Sequence, residues 1–301
     1  MKPRQKKASL MSEFTQPVIE KIKQTLLENG YEMGDVIGRG GYSLIYKVHS
    51  VKYDQFFAAK IVNAKSERHS NCAISIENEI YALTHLYHPN IIKLYSNYKC
   101  DDFHILILEL CTPFSLHQVI KNYNCKKNDQ IDDKNGEKND QQEINKNPHI
   151  KPEENLTNES SSTSPPFKNE RTIKYRMNVL RELISAVQFC HLNGIAHRDI
   201  KPHNVLFDNC GHVKLADFGC SRLFDKNELS TELLGSPHYM SPEIYNKAKH
   251  DPFASDIWSL GVTFYELCGG IPDWPSSKDL LADSIKNGGL LVKKCLSPRI
   301  E

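Results

Sequence analysis

The sequence predicts an α+β fold of two lobes, a small strand-rich lobe followed by a larger and mainly helical one. Residues 31–110 show short β-branched and aromatic runs with one helical interval at 73–86. After residue 171, long stretches carry apolar side chains at helical spacing. The 301 residues are 39% hydrophobic, which is enough for a sizeable core shared by roughly two lobes.

Residues 1–30 form an N-terminal extension in which the sequence predicts a short amphipathic helix. Thr15 is a suitable N-cap, Pro17 is tolerated in the first helical turn, and Gly30 can end the helix. The apolar face carries Val18, Ile22 and Leu26. Two roles stay open for this face, packing on the small lobe and binding a partner.

The small lobe, predicted at 31–110, begins with a glycine-rich segment between two strands. The segment consists of Ile37, Gly38, Arg39, Gly40, Gly41, Tyr42, Ser43, Leu44 and Ile45. Gly38 and Gly40 can adopt the dihedrals of a tight hairpin and bring backbone N–H groups close to a phosphate. Glycines also occur in ordinary turns, so this segment alone is weak evidence for a nucleotide site.

Two charged residues later in the small lobe can act together with that segment. Lys60 lies on a predicted strand, and Glu79 lies on the helical interval that follows. A lysine held by a carboxylate keeps its position and charge, so it can bind phosphate as a point charge. Glu77 is the nearest competitor of Glu79 for this pairing.

Residues 105–111 are predicted as a buried strand that runs into a connector, with the hinge and the start of the larger lobe at 111–121. Residues 122–170 are rich in Asn, Asp, Glu, Lys and Ser and poor in aliphatic side chains. Such a composition buries too little apolar area to offset about 1–2 kcal/mol of backbone entropy per residue. We therefore predict a disordered insertion at 122–170.

The larger lobe is predicted at 171–301 and starts with a helix over 171–193. The pattern predicts a buried face that carries Met177, Leu180, Ile184 and Val187. Gly194 follows and ends this helix.

The most informative stretch comes next: Ile195-Ala-His-Arg-Asp-Ile-Lys-Pro-His-Asn204, with Asp217-Phe-Gly219 downstream. A carboxylate such as Asp199 can orient an attacking hydroxyl and take its proton, while Lys201 can neutralise charge on a phosphoryl group. Asn204 and Asp217 carry the hard oxygen ligands that hold Mg²⁺ on a nucleotide. This combination predicts phosphoryl transfer.

These two motifs, in this order and at this distance, resemble the catalytic and metal-binding loops of eukaryotic protein kinases. The resemblance covers Tyr31 to about Cys268 apart from the insertion. It implies ATP as the phosphoryl donor and Mg²⁺ as the cation, with Asp199 as the base and Lys60 on the α- and β-phosphates. Ser43 stands where the glycine-rich pattern of the family has its third glycine.

The resemblance also implies where the adenine ring binds. Backbone groups of Glu109 and Cys111 in the connector would contact the base, and Leu108 would guard the rear of the pocket. The apolar walls would come from Ile45, Ala58 and Leu206. Each of these positions is equally suited to ordinary core packing.

Two features resemble the serine/threonine branch of the family: Lys201 and the segment Gly235-Ser-Pro-His-Tyr-Met-Ser-Pro-Glu243. The motifs taken together are most similar to those of the calmodulin-dependent kinase group. Arg198 occupies a position at which related kinases bind an activating phosphate. The usual threonine is replaced by Glu232, so two hypotheses stay open: a built-in anion at Glu232, or phosphorylation of Thr231.

Substrate preference is only faintly indicated. Many kinases that prefer basic substrates carry acids at two positions which are here His203 and Ser115. Strong selection for Arg upstream of the phosphorylated residue is therefore not expected, while Ser/Thr proteins are the expected substrates. The sequence identifies no regulatory partner.

Composition excludes several other classes. The net charge of +1 gives no indication of a nucleic-acid or membrane partner, and no apolar run is long enough to cross a bilayer. Nine cysteines without a CxxC pair suit a reducing compartment. We expect a cytoplasmic protein, with the nucleus left open.

One departure supports a different class of function. The terminal helices expected of the family are short or missing, so the larger lobe is expected to be truncated. The usual Arg partner of Glu243 is absent, and Arg299 is the one substitute considered, although its spacing is wrong. If no residue replaces the missing Arg, the Glu243 carboxylate is left buried and unpaired. A pseudokinase or scaffold that binds nucleotide without chemistry is the alternative, and a small-molecule kinase is disfavoured by the segment 235–243.

Overall fold

The computed structural model describes residues 14–40, 43–64, 76–122, 173–269 and 283–284. Gly41 and Tyr42 of the glycine-rich segment therefore lie outside the described residues. So do the predicted insertion beyond residue 122 and most of the chain after residue 269.

The small lobe is a five-stranded antiparallel sheet with the strand order β1-β2-β3-β5-β4. Its strands are β1 (Tyr31–Arg39), β2 (Ser43–Ser50), β3 (Gln55–Asn63), β4 (Leu94–Cys100) and β5 (Phe103–Leu108). The register places Lys60 of β3 opposite Ile45 on one side and Leu106 on the other. Lys60 is thus fixed near the middle of the sheet.

The two central strands β3 and β5 are buried on both faces. Because side chains alternate along a strand, residues 57, 59 and 61 of β3 pack with residues 105 and 107 of β5 in an outer core. Residues 58 and 62 of β3 pack with residues 106 and 108 of β5 in an inner core that continues into the larger lobe. This explains the nearly continuous apolar runs in both strands.

Helix α1 (Gln16–Glu28) covers the outer face of this sheet. Ile22 and Leu26 are almost fully buried there, and the Phe14 ring meets the Phe103 ring edge-on at 5.3 Å. Gly30 follows in the left-handed region with φ of +81°. Of the two roles considered for this face, packing on the small lobe is the one that the structure shows.

Helix α2 (Ile76–His85) lies on the opposite face and contributes Ile76, Ala82 and Leu83 to the inner core. The larger lobe then begins with a helical stretch at 116–122. Its longer course includes the α-helices α3 (Ile173–Leu192), α4 (Pro242–Tyr245) and α5 (Pro252–Leu267), with short 3-10 helices in the loops between them. The predicted α+β fold of two lobes is confirmed.

Short strands hold the loops between these helices. Strand β6 (Ile195–Ala196) pairs with β9 (Arg222–Leu223), and β7 (Val205–Phe207) pairs with β8 (Val213–Leu215). Within the described ranges, no helix is long and apolar enough to cross a membrane.

The predicted buried face of α3 is wrong for most of its residues. Met177 and Ile184 are each 44% exposed, and Leu180 is only partly buried. The buried side comprises Arg176, Val179, Leu183, Ala186, Val187 and Cys190. The helix has apolar side chains on neighbouring stripes, and contact with α5, β6 and β8 selects which stripe is buried.

Candidate active site

Lys60 brings together two carboxylates from distant parts of the chain. Its Nζ donates to both carboxylate oxygens of Glu79, at 2.7 and 2.8 Å, and to Oδ1 of Asp217 at 2.8 Å. Glu79 is buried, whereas Glu77 is exposed to solvent. The structure therefore selects Glu79 over Glu77 as the partner of the lysine.

The charges in this triad stabilise one another. Burial lowers the pKa of Lys60, but the negative charges of Asp217 and Glu79 outweigh it and raise that pKa above its ordinary value. The positive charge of Lys60 in turn holds the pKa of Asp217 well below its usual range. Burial raises the pKa of Glu79, and Lys60 opposes that rise.

Asp199 is buried and held by three groups. Its Oδ1 accepts the backbone N–H of Ser236 at 2.9 Å. Its Oδ2 accepts Nζ of Lys201 at 2.7 Å and Nδ2 of Asn204 at 3.1 Å. Lys201 also donates to Oγ of Ser236 at 2.8 Å. The network fixes the orientation of the Asp199 carboxylate toward the segment that follows Gly235.

Asn204 and Asp217 present oxygen atoms that suit a hard cation. The amide nitrogen of Asn204 is used for Asp199, so its amide oxygen remains for a ligand. Asp217 uses Oδ1 for Lys60, and its side chain is half exposed and ionised because of its low pKa. The backbone N–H of Ala216 donates to the Asn204 carbonyl at 2.9 Å, which joins the two loops. These groups fit Mg²⁺.

The loop that carries Asp199 is tied to α5 through Asp256. This carboxylate is fully buried, and it accepts the backbone N–H groups of His197 at 2.8 Å and Arg198 at 2.7 Å. It also contacts Nε2 of His191 at 2.9 Å. Arg198 has a φ of +65°, and these contacts stabilise that unusual backbone conformation.

His197 and Phe218 pack against each other in the interior. Both are buried, and their rings meet edge-on at 4.6 Å between centroids. Nε2 of His197 lies 3.1 Å from the Ala216 carbonyl. A histidine in this position supports the two loops and is not exposed to a substrate.

The described part of the glycine-rich segment lies at the end of β1 and the start of β2, and Gly38 and Gly40 do not have the left-handed dihedrals of many tight hairpins. A Cβ added at Gly38 would lie 3.1 Å from the end of the Ile45 side chain, and one added at Gly40 would lie 2.5 Å from Oγ of Ser43, so either side chain would have to move. Arg39 pairs with Leu44 in the register, and Ile37 is about half exposed.

The residues predicted to enclose the adenine ring lie together. Ala58 and Leu108 belong to the inner core, and Ile45, Leu206 and Cys111 pack against it. The N–H of Glu109 is used by the Lys93 carbonyl, and its carboxylate pairs with Lys214 at 2.8 Å. Within the described part of the chain, the Glu109 carbonyl and the Cys111 N–H have no backbone partner. Both remain available to a ligand.

The sequence patterns predicted no role for Asp256 or for Ser236. Their importance depends on hydrogen bonds to residues 35 and 37 positions away for Ser236, and 58 and 59 positions away for the loop contacts of Asp256. Glu243, expected to be buried and unpaired, is exposed. Exposure to water removes the expected penalty of a buried charge.

The comparisons with known proteins agree with this geometry. The family model described as the protein kinase domain matches residues 31–139 and 151–295. The chain is 31% identical to serine/threonine-protein kinase RUNKEL of Arabidopsis thaliana over 246 residues, which are 81% of this chain and 14% of that protein.

Two other relatives have a similar sequence identity to this chain. Carbon catabolite-derepressing protein kinase of Candida glabrata is 31% identical over 270 residues, which are 89% of this chain and 36% of that protein. Calcium-dependent protein kinase 20 of Oryza sativa subsp. japonica is 29% identical over 275 residues, covering 90% and 42%. The chain spans less than half the length of each of these three relatives.

The chain belongs to the eukaryotic protein kinase family, and its relatives place it on the serine/threonine branch. The predicted likeness to the calmodulin-dependent kinase group is also confirmed. The family model omits residues 140–150, which lie inside the predicted insertion at 122–170. The domain boundaries themselves stay predictions.

Proposed function

We propose that this chain transfers the γ-phosphoryl group of ATP to serine and threonine hydroxyls of proteins. The observation that carries the proposal is Lys60 bound at once to Glu79 and Asp217, because it joins the nucleotide-facing sheet to the larger lobe. In this arrangement Lys60 is fixed and charged, and it would contact the α- and β-phosphates.

Asp199 is proposed to orient the substrate hydroxyl and accept its proton. The hydroxyl oxygen forms a bond to the γ-phosphorus, the bond to the β-phosphate oxygen breaks, and ADP leaves. Lys201 lies beside Asp199 and would offset negative charge on the transferred group. Ser236 forms hydrogen bonds with both residues and would keep their side chains side by side for this step.

Asn204 and Asp217 would hold Mg²⁺, which when bound neutralises charge on the phosphates. The adenine ring would lie between Ile45 and Ala58 on one side and Leu206 on the other. The backbone of Glu109 and Cys111 would supply its hydrogen bonds, and Leu108 would close the rear. The segment 37–45 would cover the phosphates.

The experiment compares the purified chain with Asp199→Asn, using MgATP labelled on the γ-phosphate and a generic protein substrate. Transfer by the parent chain and its loss, by at least about a hundredfold, in the variant is expected. A Lys226→Gln variant, at an exposed position in another loop, is the control for handling.

Nucleotide binding measured in parallel separates this proposal from a scaffold function. If the folded parent chain binds ATP and transfers no phosphate to any protein, including itself, the enzyme proposal is wrong. The alternative of a nucleotide-binding pseudokinase would then stand.

A further inference from the structure

Strand β8 and the loop at 88–92 are joined by hydrogen bonds where the two lobes meet. Leu215 accepts the N–H of Ile92 at 2.9 Å and donates its own N–H to the Asn90 carbonyl at 2.8 Å. Nδ2 of Asn90 donates to the Val213 carbonyl at 3.1 Å, and both residues are buried. The strand and the loop therefore form one unit, which we call the β8–loop unit.

The β8–loop unit connects the two carboxylate partners of Lys60. The loop follows α2, the helix that carries Glu79, and β8 ends two residues before Asp217. Nζ of Lys60 donates to both carboxylates. A shift of the loop against β8 would therefore move Glu79 relative to Asp217.

Glu182 of α3 contacts both parts of this unit. Its Oε2 accepts the backbone N–H of Val213 at 2.7 Å and lies 3.4 Å from Nδ2 of Asn90. Its Oε1 lies 3.0 Å from Nδ1 of His212, in the turn that precedes β8. The Glu182 side chain is only 26% exposed, so its hydrogen bonds are partly shielded from water. This carboxylate thus ties the β8–loop unit to α3.

His212 reports on the position of the Glu182 carboxylate. The hydrogen bond to Glu182, and then its charge, raise the pKa of His212. Burial lowers this pKa, Asp208 raises it and Lys214 lowers it, all by less than the hydrogen bond does. The His212 side chain is 61% exposed, so its titration can be followed in the folded chain.

We propose that Glu182 is a positioning residue for phosphoryl transfer, which it supports by holding the β8–loop unit in one arrangement. That arrangement keeps Glu79 and Asp217 in contact with Lys60. Phosphoryl transfer depends on the positions of charged groups, so a small displacement of them is enough to slow it. Glu182 acts through the β8–loop unit and not on the substrate. The inference rests on the proposed kinase function.

The test compares the full chain with Glu182→Gln and Glu182→Asp, using labelled MgATP and a generic protein substrate. Gln keeps the reach to the Val213 N–H and loses the charge, whereas Asp keeps the charge and is one methylene too short. We expect Glu182→Asp to lower kcat by about fivefold to tenfold and Glu182→Gln to stay within about twofold of the parent chain. The KM for the protein substrate should not change, because the substitution acts on Lys60 and its partners.

Proton NMR of His212 gives a second readout on the same variants. Both substitutions should lower the pKa of His212 toward its ordinary value, since Gln removes the charge and Asp withdraws it. Loss of kcat in Glu182→Asp alone would then assign the positioning to the bond with Val213 and not to the charge. Arg181→Ala, at the exposed position before Glu182, is the control and should change neither quantity.

A double-mutant cycle with Asn90→Ala checks the route by which Glu182 acts. If both residues hold the β8–loop unit, Asn90→Ala should reduce kcat by a smaller factor in Glu182→Asp than in the parent chain. All kinetics are measured below the unfolding transition of each variant, which chemical denaturation locates.

Three results would contradict these expectations. An unchanged kcat in Glu182→Asp, even with a lower unfolding free energy, would show a purely structural role, overturn the inference and leave the kinase function standing. Independent effects of the Glu182 and Asn90 substitutions on kcat would overturn the route through the β8–loop unit. Absence of transfer by the folded parent chain would instead refute the proposed function, and this inference with it.

Discussion

The backbone conformation of Gly235 allows the next residue to form a hydrogen bond with Asp199. The φ of Gly235 is +105°, and a Cβ added there would lie 2.5 Å from the carbonyl oxygen of Arg198. The next residue, Ser236, donates its N–H to Asp199. A side chain at position 235 would therefore push the segment away from the loop that it helps to hold.

Gly235→Ala should lower both stability and phosphoryl transfer. The left-handed φ and the contact with Arg198 predict a loss of about 1–3 kcal/mol in the free energy of unfolding. Chemical denaturation and kcat, measured on the same preparations, check this expectation.

Gly261→Ala is the matched control for that substitution. Gly261 lies in α5 with no atom within 4 Å of an added Cβ. Alanine should stabilise the helix by about 0.5–1 kcal/mol. An unchanged unfolding free energy and kcat for Gly235→Ala would contradict the role given to Gly235.

At the scale of elements, the segment between Asp217 and Glu243 is held by an internal carboxylate. Arg198 forms an ion pair with Glu232, and its Nε donates to the Cys220 carbonyl at 2.7 Å. Nη1 of Arg222 lies 4.0 Å from the same Glu232. The neighbouring Thr231 is exposed. These contacts favour Glu232 as the built-in anion.

Glu232→Ala should reduce kcat by about tenfold, because the partly buried Arg198 loses its anion and the segment loses an anchor. Thr231→Ala should leave kcat unchanged in a chain treated with phosphatase. Activity that depends on Thr231 and survives the loss of Glu232 would establish phosphorylation as the control instead.

Helix α1 is a structural part of the small lobe, although the family model begins only at residue 31. Leu26 is completely buried against the sheet, while its neighbour Leu27 is 54% exposed. The ion pair between Lys21 and Asp101 adds a contact at the edge of the sheet. The packing of α1 on the sheet is therefore stabilised mainly by the burial of apolar side chains.

Leu26→Asp should destabilise the small lobe by several kcal/mol, since it places a charge in a closed apolar core. Leu27→Asp, which adds the same charge one position later, should change stability by less than about 0.5 kcal/mol. Denaturant midpoints measured for both variants test this. Equal midpoints would mean that α1 does not pack as described.

At the scale of the whole molecule, the site exists only where the two lobes meet. Lys60 and Asp217 are 157 positions apart and in direct contact. The backbone of residues 90–92 also exchanges hydrogen bonds with Leu215, which lies two residues before Asp217. A nucleotide and its cation held by both lobes should therefore stabilise the molecule as a unit.

MgADP at about 100 times its Kd should add about 2.7 kcal/mol of stability, which corresponds to a rise in Tm of roughly 5–10 °C. Removal of Mg²⁺ with EDTA should reduce this rise, and Asp217→Asn should remove the part that depends on Mg²⁺. Asp225→Asn, an exposed control eight positions later, should behave like the parent chain. A full Mg²⁺ effect in Asp217→Asn would exclude that carboxylate as a ligand.

Local patterns in the sequence predicted the candidate catalytic and ligand-binding residues and the class of fold. Asp199, Lys201, Asn204 and Asp217 were identified by their types and spacing, because phosphoryl transfer requires a base, a cation and hard oxygen ligands close together. Short runs of β-branched and aromatic residues likewise predicted the sheet, since such side chains pack well on a pleated surface.

The tertiary structure decided which of two residues or helix faces with equally suitable local patterns is used. Glu79 and Glu77 are equally suited to hold a lysine, and two apolar stripes on α3 are equally suited to a core. Only packing buries one of each pair. The contacts of Ser236 and Asp256 join segments far apart in the chain, so no local pattern encodes them. The physical reason is that burial and long-range hydrogen bonds are properties of the folded chain.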